Sequence, residues 1–447
     1  MKTVIMAGGL GKRASCIAND IPKPLIPIAD KPILQWEIEC LVRQGFTDII
    51  LTVSYMAEKI KDFFDDGSDF GCHISYFLEE QPLGNAGALF KLWEAGKLDG
   101  DFLLLNADSM FDVDFKRFIR FHQEHNGLAT LFTHPNNHPY DSGLIISSEA
   151  GVVKQWLTKE DIRPQWYKNS VNAGLHILNI ELLECSGINP MNIDADHKVD
   201  LDRDILKPLV STGRIFAYDS PEYVKDMGTS ERFRQVSVDL RNGSVSRRNL
   251  SKPQKAIFLD RDGTINRYIG FLCDIDDFEL IEDAACAIRL INDSGYLVIV
   301  CTNQPVIARG EVTVEQLKTI HNKMETLLGK EGAYLDKIYY CPHHPDKGFE
   351  GEIKSLKFDC DCRKPKTGML LQAANDFNIE MEHSWMIGDG ERDIRAGKNA
   401  GCKTVLIRSV DGESNSGDMD FGQDVTVKSL KEAVEMILGV NIDLGAC

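Results

Sequence analysis

From residue 1 to about 235 the chain alternates short apolar runs with longer amphipathic stretches. The runs are KTVIMA (2–7), DIILTV (48–53), DFLLLNAD (101–108), GLATLFT (127–133) and AGLHILN (173–179). Strand-length apolar runs separated by helical patterns predict an α/β domain with a largely parallel sheet. The segment from Ile33 to Gln44 places Ile33, Trp36, Ile38, Leu41 and Val42 on a 3.6-residue period, with Gly45 as its stop, and so predicts a helix. Between Leu240 and Gln254 the pattern lapses: RNGSVSRRNLSKPQ is polar, contains Gly, Ser and Pro, and has no apolar period. This predicts a linker. A second α/β series follows, with KAIFLD, YLVIVCTN, DKIYYCP, HSWMIGD and CKTVLI as strands, Thr313 to Leu328 as a helix, and SLKEAVEMIL as a final helix. The expected division is 1–238 for the first domain, 239–254 for the linker and 255–447 for the second domain. No internal repeat is present.

A length of 447 residues supports two cores, since one domain typically takes about 150 residues. The apolar fraction of 43% and charged fraction of 26% are those of an ordinary folded chain. A formal charge of -18 argues against a nucleic-acid partner, whose backbone selects basic stripes, but it leaves room for a local anion pocket. The opening MKTVIMAGGL lacks the long apolar region of a secretory leader, and no apolar run reaches the roughly 20 residues of a membrane helix. A cytoplasmic enzyme without a membrane partner is expected. The twelve cysteines are expected to be reduced, because some form a metal-like cluster and the others lack regular spacing. Oligomeric state is not readable.

The first candidate chemistry lies where strand VIMA ends in Gly8-Gly9-Leu10-Gly11-Lys12-Arg13. Gly8, Gly9 and Gly11 let backbone N–H groups approach an anion, and Lys12 and Arg13 add charge suited to a nucleoside triphosphate. Downstream, Pro22-Lys23-Pro24 holds one lysine between two prolines, which fixes the backbone that aims its ammonium.

GGLGKR and PKPLIPI at this separation resemble the signature of sugar-phosphate nucleotidyltransferases. The resemblance extends through LEEQPLGNAGA (78–88), LLLNADSMFD, NAGLHIL and DMGTSERF, and is closest to the branch that makes GDP-sugars, including mannose 1-phosphate and heptose 1-phosphate guanylyltransferases. It implies a Rossmann-like domain with a glycosyltransferase-A-like mixed sheet. By the family's pattern Asp108 and Asp226 hold Mg²⁺, Arg13 and Lys23 act on phosphate, and Gly84 lies in the nucleotide-binding segment. Lys159 and Asn172 meet the sugar phosphate, although Thr158-Lys159-Glu160 stands where the family usually has Glu-Lys-Pro. Two hard carboxylates with room for phosphate oxygens suit Mg²⁺. Glu79 stands where many thymidylyl- and uridylyl-transferring relatives have Gln, and a carboxylate can accept from both N1–H and N2–H₂ of guanine. GTP is therefore the expected nucleotide.

The second domain opens on Asp260-Arg261-Asp262-Gly263-Thr264 after an apolar strand, with two carboxylates at the edge where open α/β sheets bind ligands. Thr302-Asn303-Gln304, Arg363-Lys364-Pro365 and Gly388-Asp389-Gly390-Glu391-Arg392-Asp393 follow in order. The set resembles the haloacid-dehalogenase (HAD) phosphatase superfamily, which implies a second Rossmann-like domain with a parallel sheet. In that chemistry Asp260 is the nucleophile and Asp262 the acid and base. Mg²⁺ would be held by Asp260, the backbone carbonyl of Asp262 and Asp389, while Thr302 and Lys364 bind the phosphoryl oxygens and Asp393 supports them.

Cys341-Pro342-His343 and Cys360-Asp361-Cys362 give a C-x-H…C-x-C set, suited to a structural Zn²⁺ held by Cys341, His343, Cys360 and Cys362, with His344 as the alternative imidazole. A zinc loop directly before CRKP resembles heptose 1,7-bisphosphate 7-phosphatases and the related histidinol-phosphate phosphatases. The resemblance leaves Asn303, Arg309 and Arg363 as substrate contacts, the two arginines at the distal phosphate. Joined, the resemblances imply that heptose 1,7-bisphosphate is dephosphorylated and the product converted to GDP-heptose. Mannose 1-phosphate guanylyltransfer beside a histidinol-phosphate-like phosphatase remains the alternative enzyme reading, and a non-catalytic phosphosugar sensor the alternative in kind.

Overall fold

The computed structural model describes residues 1–9, 21–408 and 420–440. It contains two compact units, one of residues 1–134, 143–160 and 170–249, the other of residues 135–142, 161–169 and 250–447. The division falls at Asn249 and Leu250, inside the stretch expected to be a linker. That stretch is not an extended coil: the helix Ser230–Arg241 runs into it, the helix Ser244–Arg247 follows, and Val245, Arg248, Asn249 and Leu250 are buried. Two isolated apolar residues are enough to anchor a short segment, and they leave no periodicity to read.

The strands of the first unit are Lys2–Met6 (β1), Pro27–Ile28 (β2), Lys31–Pro32 (β3), Asp48–Val53 (β4), His73–Leu78 (β5), Asp101–Asn106 (β6), Ser109–Asp112 (β7), Ala129–His134 (β8), Leu144–Ser147 (β9), Val153–Leu157 (β10), Val171–Asn179 (β11), Ile215–Asp219 (β12) and Tyr223–Asp226 (β13). The main sheet runs β10-β9-β11-β6-β1-β4-β5, with β8 pairing β11 and β12. Neighbours β6, β1, β4 and β5 are parallel, and β11 is antiparallel to both β6 and β8. The sheet is therefore mixed, as the resemblance implied, rather than largely parallel. Alternation sends Val4 and Leu104 to one core and Ile5, Leu103 and Leu105 to the other, which is why the central strands read as unbroken apolar runs. The helix Ile33–Arg43 forms as its periodicity predicted, burying Ile33, Leu34, Ile38 and Leu41.

In the second unit Ala256–Leu259 (β14), Leu297–Asn303 (β15), Lys337–Cys341 (β16), Trp385–Gly388 (β17), Lys403–Ile407 (β18) and Val425–Val427 (β19) form a parallel sheet in the order β16-β15-β14-β17-β18-β19. Central β14 lies between β15 and β17, so the C-terminal ends of three adjacent strands open on one edge. The helix Val314–Lys330 begins at a capping box made by Thr313 and Gln316. Cys286 is disulfide-bonded, which corrects the expectation of reduced thiols throughout, whereas nine other described cysteines are free. No helix among the described residues is long and apolar enough to cross a membrane.

Candidate active sites

In the second unit Asp260 follows β14, Thr302 lies near the end of β15, and Asp389 follows β17. The sheet thereby brings together residues far apart in the chain. The Lys364 ammonium sits 2.8 Å from Asp260 and 2.6 Å from Asp393, and is almost wholly buried. Asp393 is fixed in turn by the Gly390 N–H, 3.1 Å from its second oxygen. Lys364 is held by backbone as well, since its N–H donates to Asn303 Oδ1 and its carbonyl accepts from Asn303 Nδ2, both at 3.0 Å. Asn303, expected as a substrate contact, thus holds the backbone of Lys364.

The two aspartates of the DxD turn have different surroundings. Burial, then the neighbouring Asp393 charge, pushes Asp260 up to about 6 despite Lys364, and burial with Asp260 and Asp393 pushes Asp389 up to about 8. Burial also acts on Asp262, but the Arg261 guanidinium together with the hydrogen bonds from Asn266 and Gln304 outweighs it and holds this carboxyl below its usual range. Arg261 is fully buried and reaches Asp262 at 2.7, 2.8 and 3.0 Å. Asn266 donates to Asp262 Oδ1 at 3.0 Å, and Gln304 Nε2 lies 2.9 Å from both Asp262 Oδ2 and Thr302 Oγ1. Gly263, at φ +84°, has Asp389 where a Cβ would stand, 2.0 Å from Oδ2, so only glycine admits that carboxylate.

Asp260, Asp262, Thr302, Gln304, Lys364 and Asp389 line a cavity of about 170 Å³ whose wall also includes Phe271, His344 and Arg363. Arg309 is not among the lining residues. Its guanidinium carbon lies 3.9 Å from the ring centre of Phe271 and 4.3 Å from that of Phe349. Asp260, Asp389 and Asp393 each offer an oxygen within 4.8 Å of the others. The crowding that raises Asp260 and Asp389 is what a divalent cation relieves, so the donor set fits one. Asp262 contributes no side-chain oxygen to this set, because Arg261, Asn266 and Gln304 engage its carboxylate.

The Cys341, His343, Cys360 and Cys362 donors also converge. Their sulfurs are 3.2 to 3.5 Å apart, and His343 Nδ1 lies 3.2 Å from Cys362 and 3.7 Å from Cys341. These separations lie slightly inside the roughly 3.8 Å edge of a tetrahedron with ~2.3 Å metal–sulfur bonds, so the set fits a metal. His343 is the imidazole in the cluster, while His344 faces the cavity. Arg363 donates to the His343 carbonyl at 3.2 Å, joining the cluster directly to the cavity wall.

In the first unit the acidic edge is built from β6, β7 and β13. Asp226 pairs with Ser109 across β13 and β7, and the Met227 N–H donates to the Asp108 carbonyl at 3.0 Å, which sets Asp108, in the turn before β7, beside the end of β13 that carries Asp226. Lys23 is ion-paired with Asp108, and Arg232 holds Asp226 at 2.7 Å. Glu37 lies behind them, wholly buried, accepting the Ser109 N–H at 3.1 Å. Burial, with Asp108 nearby, raises it well above the usual carboxylate range. Glu79 stands beside the glycine turn, its Oε1 3.1 Å from where a Cβ on Gly8 would lie, and burial raises it too.

Asn172 lies at a register shift in β11, where its Oδ1 accepts from the Gly174 N–H at 3.2 Å and meets His176 Nε2 at 3.1 Å. A Cβ on Gly174 would stand 2.7 Å from Asn106 Nδ2, so the shift brings this loop onto the end of β6. Gly84, at φ +87°, has the Val199 carbonyl where its Cβ would be, at 2.2 Å, so close backbone packing accounts for this glycine. Gly9 is exposed, and Lys159 is exposed in the turn after β10. Gly11, Lys12 and Arg13 lie outside the described residues.

Comparison with known proteins matches residues 2–243 to the nucleotidyl transferase family model. The chain belongs to the nucleotidyl transferase family. Residues 361–433 match the HAD-hydrolase-like model, so this nucleotidyltransferase also carries a phosphatase. D-glycero-β-D-manno-heptose-1,7-bisphosphate 7-phosphatase of Haemophilus ducreyi is 41% identical over 186 residues, 41% of this chain and 98% of the relative. The Escherichia coli K12 enzyme of the same description is 40% identical over 190 residues, 42% of this chain and 96% of the relative. The solved structure of HddC from Yersinia pseudotuberculosis complexed with GMP-PN aligns with 54% of this chain and 99% of its own, at 26% identity and a TM-score of 0.45.

Sequence reasoning on this nucleotidyltransferase–phosphatase missed Arg232, Glu37, Arg261 and Gln304 as site-building residues. Arg261 and Gln304 sit inside quoted motifs, so their signal was position alone. Glu37 falls in the helix Ile33–Arg43 between apolar neighbours, and an acid at a core position was the clue.

Proposed function

We propose that the second unit removes the 7-phosphate of D-glycero-D-manno-heptose 1,7-bisphosphate, and that the first unit transfers GMP from GTP to the resulting heptose 1-phosphate, forming GDP-heptose and pyrophosphate. The observation that carries this reading is the convergence of Asp260, Asp262, Thr302, Lys364 and Asp389 on one sheet edge, in a chain about 40% identical to heptose bisphosphate 7-phosphatases over nearly their full length. Product of one site is acceptor for the other, so the two activities are consecutive.

In the phosphatase, an Asp260 oxygen attacks phosphorus while the sugar O7–P bond breaks. The leaving alkoxide takes a proton from Asp262, which must first acquire one because Arg261 keeps it ionised at rest. Asp262 then takes a proton from water, whose oxygen attacks the aspartyl-phosphate, freeing Asp260 and inorganic phosphate. Lys364 and Thr302 neutralise and orient the phosphoryl oxygens. Mg²⁺, held by Asp260, the Asp262 carbonyl and Asp389, would offset repulsion between nucleophile and phosphate. Zn²⁺ on Cys341, His343, Cys360 and Cys362 would lock the loop that presents Arg363 and Lys364.

In the nucleotidyltransferase, a phosphate oxygen of heptose 1-phosphate attacks the α-phosphorus of GTP in line and pyrophosphate departs, without a covalent enzyme intermediate. Lys23, Arg13 and Lys12 bind phosphates, Gly8, Gly9 and Gly11 admit them to the backbone, and Glu79 accepts from the guanine edge. Lys159 and Asn172 grip the sugar phosphate. Asp108 and Asp226 would hold Mg²⁺, which supplies charge neutralisation. The cytoplasm, where nucleoside triphosphates and phosphosugars meet, is the expected compartment.

The test gives the purified chain the heptose 1,7-bisphosphate, Mg²⁺ and each nucleoside triphosphate in turn, with products identified by mass spectrometry. GDP-heptose with GTP alone, together with phosphate and pyrophosphate, is the expected result. Phosphate without any nucleotide sugar would overturn the assignment of the first unit, and an untouched bisphosphate would overturn that of the second.

A further inference from the structure

The phosphatase cavity is bounded on one side by the loop carrying Tyr268 and Phe271, residues that are 66% and 51% exposed, so neither belongs to the hydrophobic core. A charge lies over the Phe271 ring. Arg309 lies 3.9 Å from Phe271 and 4.3 Å from Phe349, and Lys357 in turn lies 4.4 Å from Phe349. Rings and cations therefore succeed one another from the cavity wall to the segment that leads into Cys360. The Arg309 side chain is only 14% exposed, it approaches Glu311 at 3.7 Å, and its buried Nε has no hydrogen-bond partner among the described residues. A guanidinium so placed gains most from the faces of the two rings.

The backbone around it is equally fixed. The Ile353 N–H donates to the Ala308 carbonyl at 3.0 Å, and Gly310, at φ +76°, has the Gly351 carbonyl 2.0 Å from where a Cβ would stand. The Phe349 turn is tied by Glu352, which accepts from the Gly348 and Phe349 N–H groups at 2.8 and 3.1 Å. Arg309 thus stands on a rigid base and reaches outward to Phe271.

We infer that Arg309 is a positioning residue that fixes Phe271 as a wall for the body of a phosphosugar, and that this wall sets how tightly the phosphatase holds the non-reacting part of its substrate. The inference rests on the phosphosugar reading of the site. It departs from the expectation that Arg309 binds the distal phosphate, and the two make different predictions because Phe349 has no charge and does not line the cavity.

The experiment compares the full chain with Phe349→Leu, Arg309→Met and Arg309→Lys on three substrates: the heptose 1,7-bisphosphate, the heptose 7-phosphate that lacks a distal phosphate, and p-nitrophenyl phosphate. For Phe349→Leu and Arg309→Met, KM should rise about tenfold on both phosphoheptoses, the scale of a lost cation–π contact between desolvated groups, while kcat changes little. Arg309→Lys should recover part of the loss, and Phe349→Leu should leave p-nitrophenyl phosphate turnover unchanged. A penalty confined to the bisphosphate, or a silent Phe349→Leu, would overturn the inference in favour of a direct phosphate contact. A second readout needs no sugar: chymotrypsin should cut after Tyr268 or Phe271 faster in Phe349→Leu and Arg309→Met than in the wild type, and equal rates would sink the idea. Should the wild type hydrolyse p-nitrophenyl phosphate but neither phosphoheptose, the functional reading fails while the proteolysis still decides the role of Arg309.

Discussion

The two acidic edges solve one electrostatic problem in opposite ways. In the first unit each carboxylate is paired with a cation of its own chain, Asp108 with Lys23 and Asp226 with Arg232, and the carboxylate side chains are 37% and 46% exposed. In the second unit Asp260 and Asp389 reach the cavity surface, the Asp260 side chain 15% exposed, and crowd against buried Asp393 with buried Lys364 as the cation among them, and both carboxyls are pushed up, to about 6 and about 8. An open site can afford to let substrate phosphates take over its cations, because water screens the exchange. A site with three crowded carboxylates and one lysine among them keeps residual repulsion until a cation or phosphoryl group arrives, and binding energy is then released where bonds change. The nucleotidyltransferase edge is therefore arranged for exchange of partners and the phosphatase edge for charge stabilisation.

The strongest test of that contrast separates the edges by single substitutions. Asp260→Asn keeps shape and removes the nucleophile, so phosphate release from the bisphosphate should fall by about 10⁴-fold or more, while GDP-heptose formation from supplied heptose 1-phosphate persists. Coupled loss of both activities would show that the edges are not independent. Asp108→Asn is the converse, with nucleotidyl transfer expected to drop by roughly 10²- to 10³-fold, the scale of one lost charge-stabilising group, and phosphate release unchanged. Steady-state rates on the two separate substrates read both predictions.

A smaller effect lies behind the first edge. His176 is pushed down to about 4 by burial, and its ring bonds Asn172. With the folded value below the unfolded ~6.5, the unfolded chain binds more protons between those two values. The stability of keeping this imidazole neutral is full above about pH 6.5 and is lost as pH falls towards 4, by on the order of 3 kcal/mol. Raised carboxyls such as Asp202, pushed up to about 7 by burial, act in the opposite sense. The measurement is accordingly the difference in urea midpoint between wild type and His176→Gln from pH 7 to 4.5. A constant difference would mean that the ring stays open to water.

The contrast was only half legible in the sequence. Strand-sized apolar runs located both sheets, and the DxD turn, Thr302 and Asp389 converge because each follows or ends a strand of one parallel sheet, while Lys364 joins them from the loop before the helix Gly368–Phe377. The antiparallel β11 was hidden, since a strand buried on both faces reads the same in either direction. Arg232 lies six residues beyond Asp226 across a helix start, and Arg309 ends against rings from two distant loops, so spacing along the chain could announce neither contact. The assignment of residues 135–142 and 161–169 to the second unit was equally invisible, because polar loops carry no period that names what they pack against.

The finest distinction concerns the base. Glu79 continues the line of β5 through its N–H bond to the Val53 carbonyl at 2.8 Å, and its carboxylate lies beside Gly8 with one oxygen 3.4 Å from the Leu83 N–H. Burial pushes the group upward, so a partner offering two donors stabilises the ionised form more than water does there. Guanine presents N1–H and N2–H₂ side by side, whereas the uracil edge places one N–H between two carbonyls, which a carboxylate repels and an amide can match. Glu79→Gln should therefore lower kcat/KM for GTP by about 10- to 100-fold, the range for one charged hydrogen bond, and raise that for UTP. Competition between GTP and UTP for a fixed amount of heptose 1-phosphate, with the nucleotide sugars weighed by mass spectrometry, measures the ratio directly. An unchanged ratio would place the guanine elsewhere and leave Glu79 as a carboxylate that the exposed edge carries without using.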